Sequence, residues 1–298
     1  MEARSQSDNW RYAHIGDLVF RFLTVSRHFN PYEFIRLWQA GDKLVGYAIL
    51  GEDPSIDWQV LPEYEWRGIE EEVMAWVEGR LAALSYSNPE GWGGQLVSGA
   101  RQDNPQRRAF LEQHGFQPGG QFSEVNLICS LSGPLGGPVG EGTGGALVET
   151  PIPDGFEVRG LAETEIAKRA EAHRAVWLPW TDGNVGDDDY AYFMKLPGYR
   201  RDLDVVAVAP DGTIAAFVNG WIDPRNRIGD FGPVGACPRY RRLGLTRAVL
   251  LESLRRMQSL RMERVIVSTG VSNTPAICLY ESVGFRVVNQ YIEYIKMN

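Results

Sequence analysis

Between residues 245 and 260 the chain places Leu250, Leu251, Leu254 and Met257 along one helical face and Glu252, Arg255, Arg256 and Ser259 along the other. That period predicts an amphipathic helix laid on a core. Ile69, Val73, Val77, Leu81 and Leu84 predict another over 69–84. Elsewhere the apolar runs are strand-like. Leu203 to Ala209 is followed by Pro210-Asp211-Gly212, a tight turn in which glycine reaches positive φ, and by a returning strand over 213–221. Further strands are expected at 156–161, 227–237, 264–268 and 285–296, and helices at 163–177, 187–195 and 274–282, the last stopped by Gly284. Upstream, strands at 34–39 and 44–50 form a hairpin through Ala40-Gly41-Asp42-Lys43, with a third strand at 56–60 and a late helix at 105–114. This alternation defines an α/β fold with a mixed sheet.

The pattern occurs twice. Pro62 precedes Gly68 by the same interval as Pro238 precedes Gly244, and Asn104 stands before Gly115-Phe116 as Asn273 stands before Gly284-Phe285. Landmarks in one order with matching elements between them indicate a tandem duplication. The segment 132–145 is half glycine and has no apolar period, so it reads as a linker. The expected domains are 1–131 and 151–298, joined by 132–150.

The charge of −8 is uneven: residues 1–149 carry 11 basic and 20 acidic side chains, and 150–298 carry 19 and 18. Such a surface excludes non-specific nucleic-acid binding, which needs clustered cations. The one basic cluster, Arg239, Arg241, Arg242 and Arg247, surrounds a glycine turn. No run of about 18 apolar residues occurs, so no membrane-spanning helix is expected. The polar start and three isolated cysteines, Cys129, Cys237 and Cys278, each in apolar context, predict buried thiols in a reducing cytoplasm. The four histidines, His14, His28, His114 and His173, lack metal-ligand spacing, and no metal is expected.

The chemistry gathers in the second copy. Arg241-Arg242-Leu243-Gly244-Leu245-Thr246 sits at a strand-to-helix turn, where bare N–H groups and the helix dipole favour a phosphate and Gly244 lets backbone approach it. Asn273, Ala276, Leu279, Tyr280, Gly284 and Phe285 follow at fixed spacing. Together these segments resemble the acyl-CoA site of the GCN5-related N-acetyltransferases (GNATs), in particular tandem members such as the mycothiol synthases. The family's turn reads Gln or Arg, two residues, Gly, one residue, Gly or Ala; Thr246 departs mildly at the last place. The resemblance implies two GNAT-like domains, each a mixed, mostly antiparallel twisted sheet flanked by helices. It implies acetyl-CoA as cosubstrate and a small-molecule amine as acceptor, with direct transfer in a ternary complex. Residues 241–246 would hold the diphosphate, Val234, Gly235 and Ala236 would offer backbone to the pantetheine amides, and Asn273 would touch the coenzyme arm or cap its helix. Tyr280 takes the place of the general acid, and Asp230 that of an acidic residue near the acceptor. Trp180 and Tyr190 are expected to line the acceptor pocket, whereas the run Asp187 to Asp189 suits a helix N-terminus. The same binding residues would also serve a non-catalytic acyl-CoA sensor, or an enzyme that acetylates an amino-sugar conjugate.

The first copy has lost these groups. Glu65 replaces the arginine, Glu70 the small residue, Leu111 the tyrosine and Arg107 the alanine. A carboxylate aimed at a diphosphate repels it, so this domain is expected neither to catalyse nor to bind CoA well.

Overall fold

A computed structural model of the chain describes residues 13–19, 21, 30–51, 54–87, 94–119, 123–132, 151–177 and 187–297. The linker at 133–150 lies outside these residues. The chain forms two compact units. One gathers residues 17–125 with the C-terminal stretch from Asn289; the other comprises residues 14–16 and 126–288. The division therefore differs from a simple cut at the linker. The last strand counts with the first unit, and His14 to Gly16 count with the second.

In the first unit, β1 (Ile35–Ala40), β2 (Lys43–Leu50) and β3 (Ile56–Val60) form an antiparallel sheet. Gly41 at φ 60° makes the first turn. Helix α1 (Ile69–Ser87) buries Val73, Val77 and Leu81. Next come β4 (Gln95–Arg101), α2 (Pro105–Gln113), β5 (Gln117–Pro118) and β6 (Glu124–Ser130), whose later residues belong to the second unit. The chain's end pairs with β4 from Tyr291↔Arg101 to Met297↔Gln95, which is why it joins this unit. Phe34, Leu50, Trp58, Leu96, Phe116 and Tyr294 share the core.

The second unit contains β7 (Glu157–Gly160), α3 (Ile166–Trp177), α4 (Asp187–Phe193), β8 (Asp204–Val208), β9 (Ile214–Asp223) and β10 (Ile228–Ala236). Then follow α5 (Leu245–Ser259), β11 (Arg264–Gly270), α6 (Thr274–Ser282) and β12 (Arg286–Met297), which runs on into the first unit. Its strands lie in the order β7-β8-β9-β10-β11-β6. β10 and β11 run parallel, whereas the β7–β8, β8–β9 and β9–β10 pairs are antiparallel. Leu250, Leu251, Leu254 and Met257 are buried, as the helical period requires.

The duplication extends to backbone conformation. In each unit a 3-10 turn, Pro62–Tyr64 or Pro238–Tyr240, stands just ahead of the long helix. Each then takes positive φ at matching places, Trp66 (58°) with Gly68 (109°) and Arg242 (67°) with Gly244 (78°). Asn104 and Asn273 cap their helices by accepting from Arg107 N and Ala276 N. Both helices end on a positive-φ glycine, with Phe116 N donating to Leu111 O and Phe285 N to Tyr280 O. Cys129 and Cys237 are buried, but Cys278 is exposed because its position on α6 faces outward, correcting the expectation for that thiol.

A buried polar cluster ties α3 and α4 to the sheet. Arg169 and Asp204, both fully buried, pair through Nε at 3.0 Å. The Tyr190 and Tyr199 hydroxyls donate to the other Asp204 oxygen. His173 lies against Phe217, and burial first, then the Arg169 and Arg174 cations, push its imidazole down to about 4. An unfolded histidine titrates near 6.5, so between about pH 6.5 and 4 the unfolded chain takes up a proton that the fold refuses. Stability is therefore present above that window and falls on acidification through it, by about 2–3 kcal/mol. Urea unfolding at pH 7 and pH 5 checks this: His173→Gln should lose less stability than the parent, and an equal loss would exclude His173 as the source.

Candidate active site

The site begins where two strands part. β10 and β11 pair at Ile228↔Arg264, Gly229↔Val265 and Asp230↔Ile266, and the register ends there. β10 nevertheless stays on β9 as far as Ala236↔Ala216, after an irregularity between Phe231 and Val234. The β11 side of β10 beyond Asp230 is thereby released, leaving polar backbone available to a ligand. Val234, Gly235 and Ala236 lie on this arm of the fork. Gly235 also meets a packing demand: a Cβ there would lie 2.8 Å from Val176 Cγ1 and 2.9 Å from Phe217 Cζ. At the irregularity, Trp221 Nε1 and Asn219 Nδ2 both donate to Gly232 O, at 3.0 and 3.4 Å.

The fork leads to the turn at 238–244. Gly244 is the N-cap of α5 and provides no side-chain cap, so the helix start presents its amides and dipole without a built-in acceptor. Arg241, Arg242 and Leu243 are exposed around it, and Leu245 is buried beneath. Arg241 Nε lies 3.4 Å from Ala236 O, which bends this side chain back over the fork. Arg247 Nη2 reaches Ser282 O, joining α5 to α6. Arg239 is turned aside, bound to Asp211 and Thr213. Thr246 is half-buried in the first turn of α5.

Tyr280 is buried on α6, its ring centroid 5.8 Å from that of Phe285, which in turn lies 5.9 Å from Phe231. Burial, and after it the Asp230 carboxylate, hold its phenol above the ordinary range. It therefore stays protonated and able to donate at neutral pH. Asp230, also buried, sits at the branch point of the fork. Asn273 is exposed, caps α6 and donates to Thr269 Oγ1.

The fold brings one unforeseen group here. His14 is buried, with Nδ1 3.7 Å from Asp230 Oδ2. Gly16 N donates to Nδ1, and Nε2 lies 3.2 Å from Ile228 O, an arrangement matched by a neutral ring protonated on Nε2. No spacing in the sequence links His14 to a residue more than two hundred positions away. Tyr190 does not stand at an open face: it is 3% exposed and its hydroxyl is bound to Asp204, which favours anchoring over acceptor contact. Trp180 lies outside the described residues.

Residues 168–285 match the family model described as acetyltransferase (GNAT) family. With the fork and the turn at Gly244, this gives the class of the matched segment: the second unit carries a GNAT-family acetyltransferase domain over residues 168–285. Over most of its length the chain is similar to proteins named mycothiol acetyltransferase. That of Pseudarthrobacter chlorophenolicus is 24% identical over 82% of this chain and 72% of its own. That of Kineococcus radiotolerans is 26% identical over 86% and 83%. Solved structures share the fold: a GCN5-related N-acetyltransferase from Sphaerobacter thermophilus (TM-score 0.67, 18% identity, 99% of this chain and 89% of that one). A tandem GNAT protein from the clavulanic acid biosynthesis pathway gives TM-score 0.62 at 13% identity, covering 95% and 96%. The tandem α/β architecture is thus the shared one. GNAT acetyltransferases use acetyl-CoA. No helix among the described residues is long and apolar enough to cross a membrane.

Proposed function

We propose that the second unit moves an acetyl group from acetyl-CoA to the amine of a small molecule, directly and within a ternary complex. The observation that carries this reading is the fork between β10 and β11, which opens at Asp230 and runs to an uncapped, arginine-flanked helix start. Residues 241–246 would grip the diphosphate, with Arg241 and Arg242 as the cations. Val234 to Ala236 would pair with the pantetheine amides along the released edge, and Asn273 would border the arm while capping α6. When bound, acetyl-CoA supplies a thioester carbonyl open to amine attack and a thiol leaving group. The protein's part is positional and protonic. Asp230 takes the amine's proton, directly or through water, and the Tyr280 phenol donates to the departing sulfur. His14 holds the wall behind Asp230. Trp180 remains the acceptor-side residue of this proposal, and Tyr190 is assigned instead to anchoring α4 through Asp204.

Calorimetric titration with acetyl-CoA should give about one equivalent per chain, and a panel of polyamines, aminoglycosides, amino acids and peptides should reveal turnover by thiol release. Binding with no thiol release from any acceptor would replace the enzyme by a sensor. The name borne by the curated relatives makes a mycothiol-type acceptor the second reading and the first compound to add to that panel. Tyr280→Phe should lower kcat about 100-fold, at the lower end for loss of a general acid, with the KM for acetyl-CoA within about threefold. An unchanged kcat would assign the proton to solvent or another group.

A further inference from the structure

We propose that the fork of the first unit is a coenzyme seat filled by the protein's own side chains, with Arg107 standing in for the pantetheine arm and Glu70 for the diphosphate. The inference rests on reading the β10–β11 fork as the pantetheine slot.

The first unit contains the same parting of strands. β3 and β4 belong to separate hydrogen-bonded sheets; at their start lies an isolated parallel bridge, Ser55↔Val97, with Val97 N donating to Pro54 O at 2.8 Å. Beyond that point, among the described residues, side chains close the gap: Ser98 Oγ donates to Ile56 O at 2.9 Å, and past it a guanidinium spans the two strands. Arg107 donates from Nε to Gly99 O on β4 at 2.9 Å and from Nη1 to Trp58 O on β3 at 2.9 Å. Its Nη2 lies 3.4 Å from the Asp57 carboxylate, and its plane sits 3.7 Å from the Trp58 ring centroid. One rigid, planar donor set thus binds carbonyls of both arms of the fork, which is the task a pantetheine amide would perform there. Trp58 precedes Pro62 as Val234 precedes Pro238, and Gly99 precedes Asn104 as Ser268 precedes Asn273. At the place of Arg107 the second copy has Ala276, which leaves the equivalent slot clear.

The turn is filled in the same manner. Glu70 stands where the second copy has Thr246 and is 3% exposed. Its Oε1 accepts from Trp66 N at 3.0 Å. Trp66 shares the positive φ of Arg242, so the amide that Glu70 takes is the counterpart of one in the phosphate turn. A carboxylate on a turn amide is the internal equivalent of a bound anion. Trp58, Glu65, Trp66, Glu70, Asn104 and Arg107 line what remains of the cleft, with two carboxylates facing any incoming phosphate. The first unit has therefore exchanged a mobile ligand for tethered ones, and it spends their contacts on holding β3 to β4.

The test uses the full chain. Arg107→Ala leaves two carbonyls of buried residues without a donor and should lower the melting temperature of the first unit by about 5 °C or more. Methylguanidinium at tens of millimolar should restore part of that loss in Arg107→Ala while leaving the parent unraised. Should Arg107→Ala fail to fold, its refolding yield with and without methylguanidinium is the readout. Absence of any methylguanidinium effect specific to the variant would overturn the assignment of Arg107. For the seat itself, the triple variant Glu65→Arg, Glu70→Thr, Arg107→Ala restores the second copy's residues. It should bind one more equivalent of CoA than the parent by calorimetry. One equivalent in both proteins overturns this proposal alone, whereas no equivalent in the parent overturns the coenzyme reading of the second unit.

Discussion

Arg241→Glu combined with Gly244→Asp should weaken acetyl-CoA binding about 1000-fold, close to 4 kcal/mol, while the fold survives. On the proposed reading, two charge changes would meet the diphosphate. Arg241 is exposed, so its attraction is screened, yet reversing it exchanges a favourable pair for a repulsive one. At an effective dielectric of about 20 one contact pair is worth about 4 kcal/mol, and solvent reduces that by about half. Gly244, at φ 78°, opens α5 and has no side chain to occupy its amides. Aspartate there would cap the helix itself and take the donors a phosphate needs, much as Glu70 takes Trp66 N in the first unit. Circular dichroism and melting temperature would show that the unit remains folded, and titration would measure the loss. Affinity equal to that of the parent would remove residues 241–246 from the site.

Asp204→Ala should destabilise the second unit by about 3–5 kcal/mol, the usual cost of breaking a buried ion pair from one side. The carboxylate is the common acceptor for Arg169 Nε and the hydroxyls of Tyr190 and Tyr199. Arg169 Nη1 and Nη2 have no hydrogen-bond partner among the described residues, so Asp204 is its principal compensation, helped by the Phe217 ring at 3.6 Å. Truncation would strand a fully buried cation and two phenols at once. Arg169→Met with Asp204→Leu removes both charges and should recover most of the loss, because packed apolar groups replace buried pairs well. Chemical denaturation of the full chain separates the outcomes: a single-variant loss below about 1 kcal/mol would mean that the cluster is not what fastens α3 and α4 to β8.

The candidate site was legible to the extent that it is local. Asn273 as cap, Gly284 as helix stop and the strand-to-helix turn at Gly244 are consequences of backbone chemistry within a few residues, and they stand where the pattern put them. The pocket expectation for Tyr190 failed for a physical reason: an aromatic in a short helix suits an interior cluster as well as a pocket wall. Its burial against Asp204 depends on a strand fourteen residues away, which periodicity does not rank. Exposure of Cys278 has the same origin, since an apolar neighbourhood in sequence does not say which face of α6 meets the sheet.

From the amino-acid order alone came the tandem α/β plan, the two phosphate-type turns and the loss of chemistry in the first of them, because capping, glycine conformation and helical period act over a few bonds. Tertiary structure decided the rest: His14 beside Asp230, the last strand completing the first unit, and Arg107 spanning a gap between two strands. Those contacts join residues far apart along the chain. They exist only once the sheets have assembled, since it is the closing of long loops, and not any local preference, that brings such groups within bonding distance.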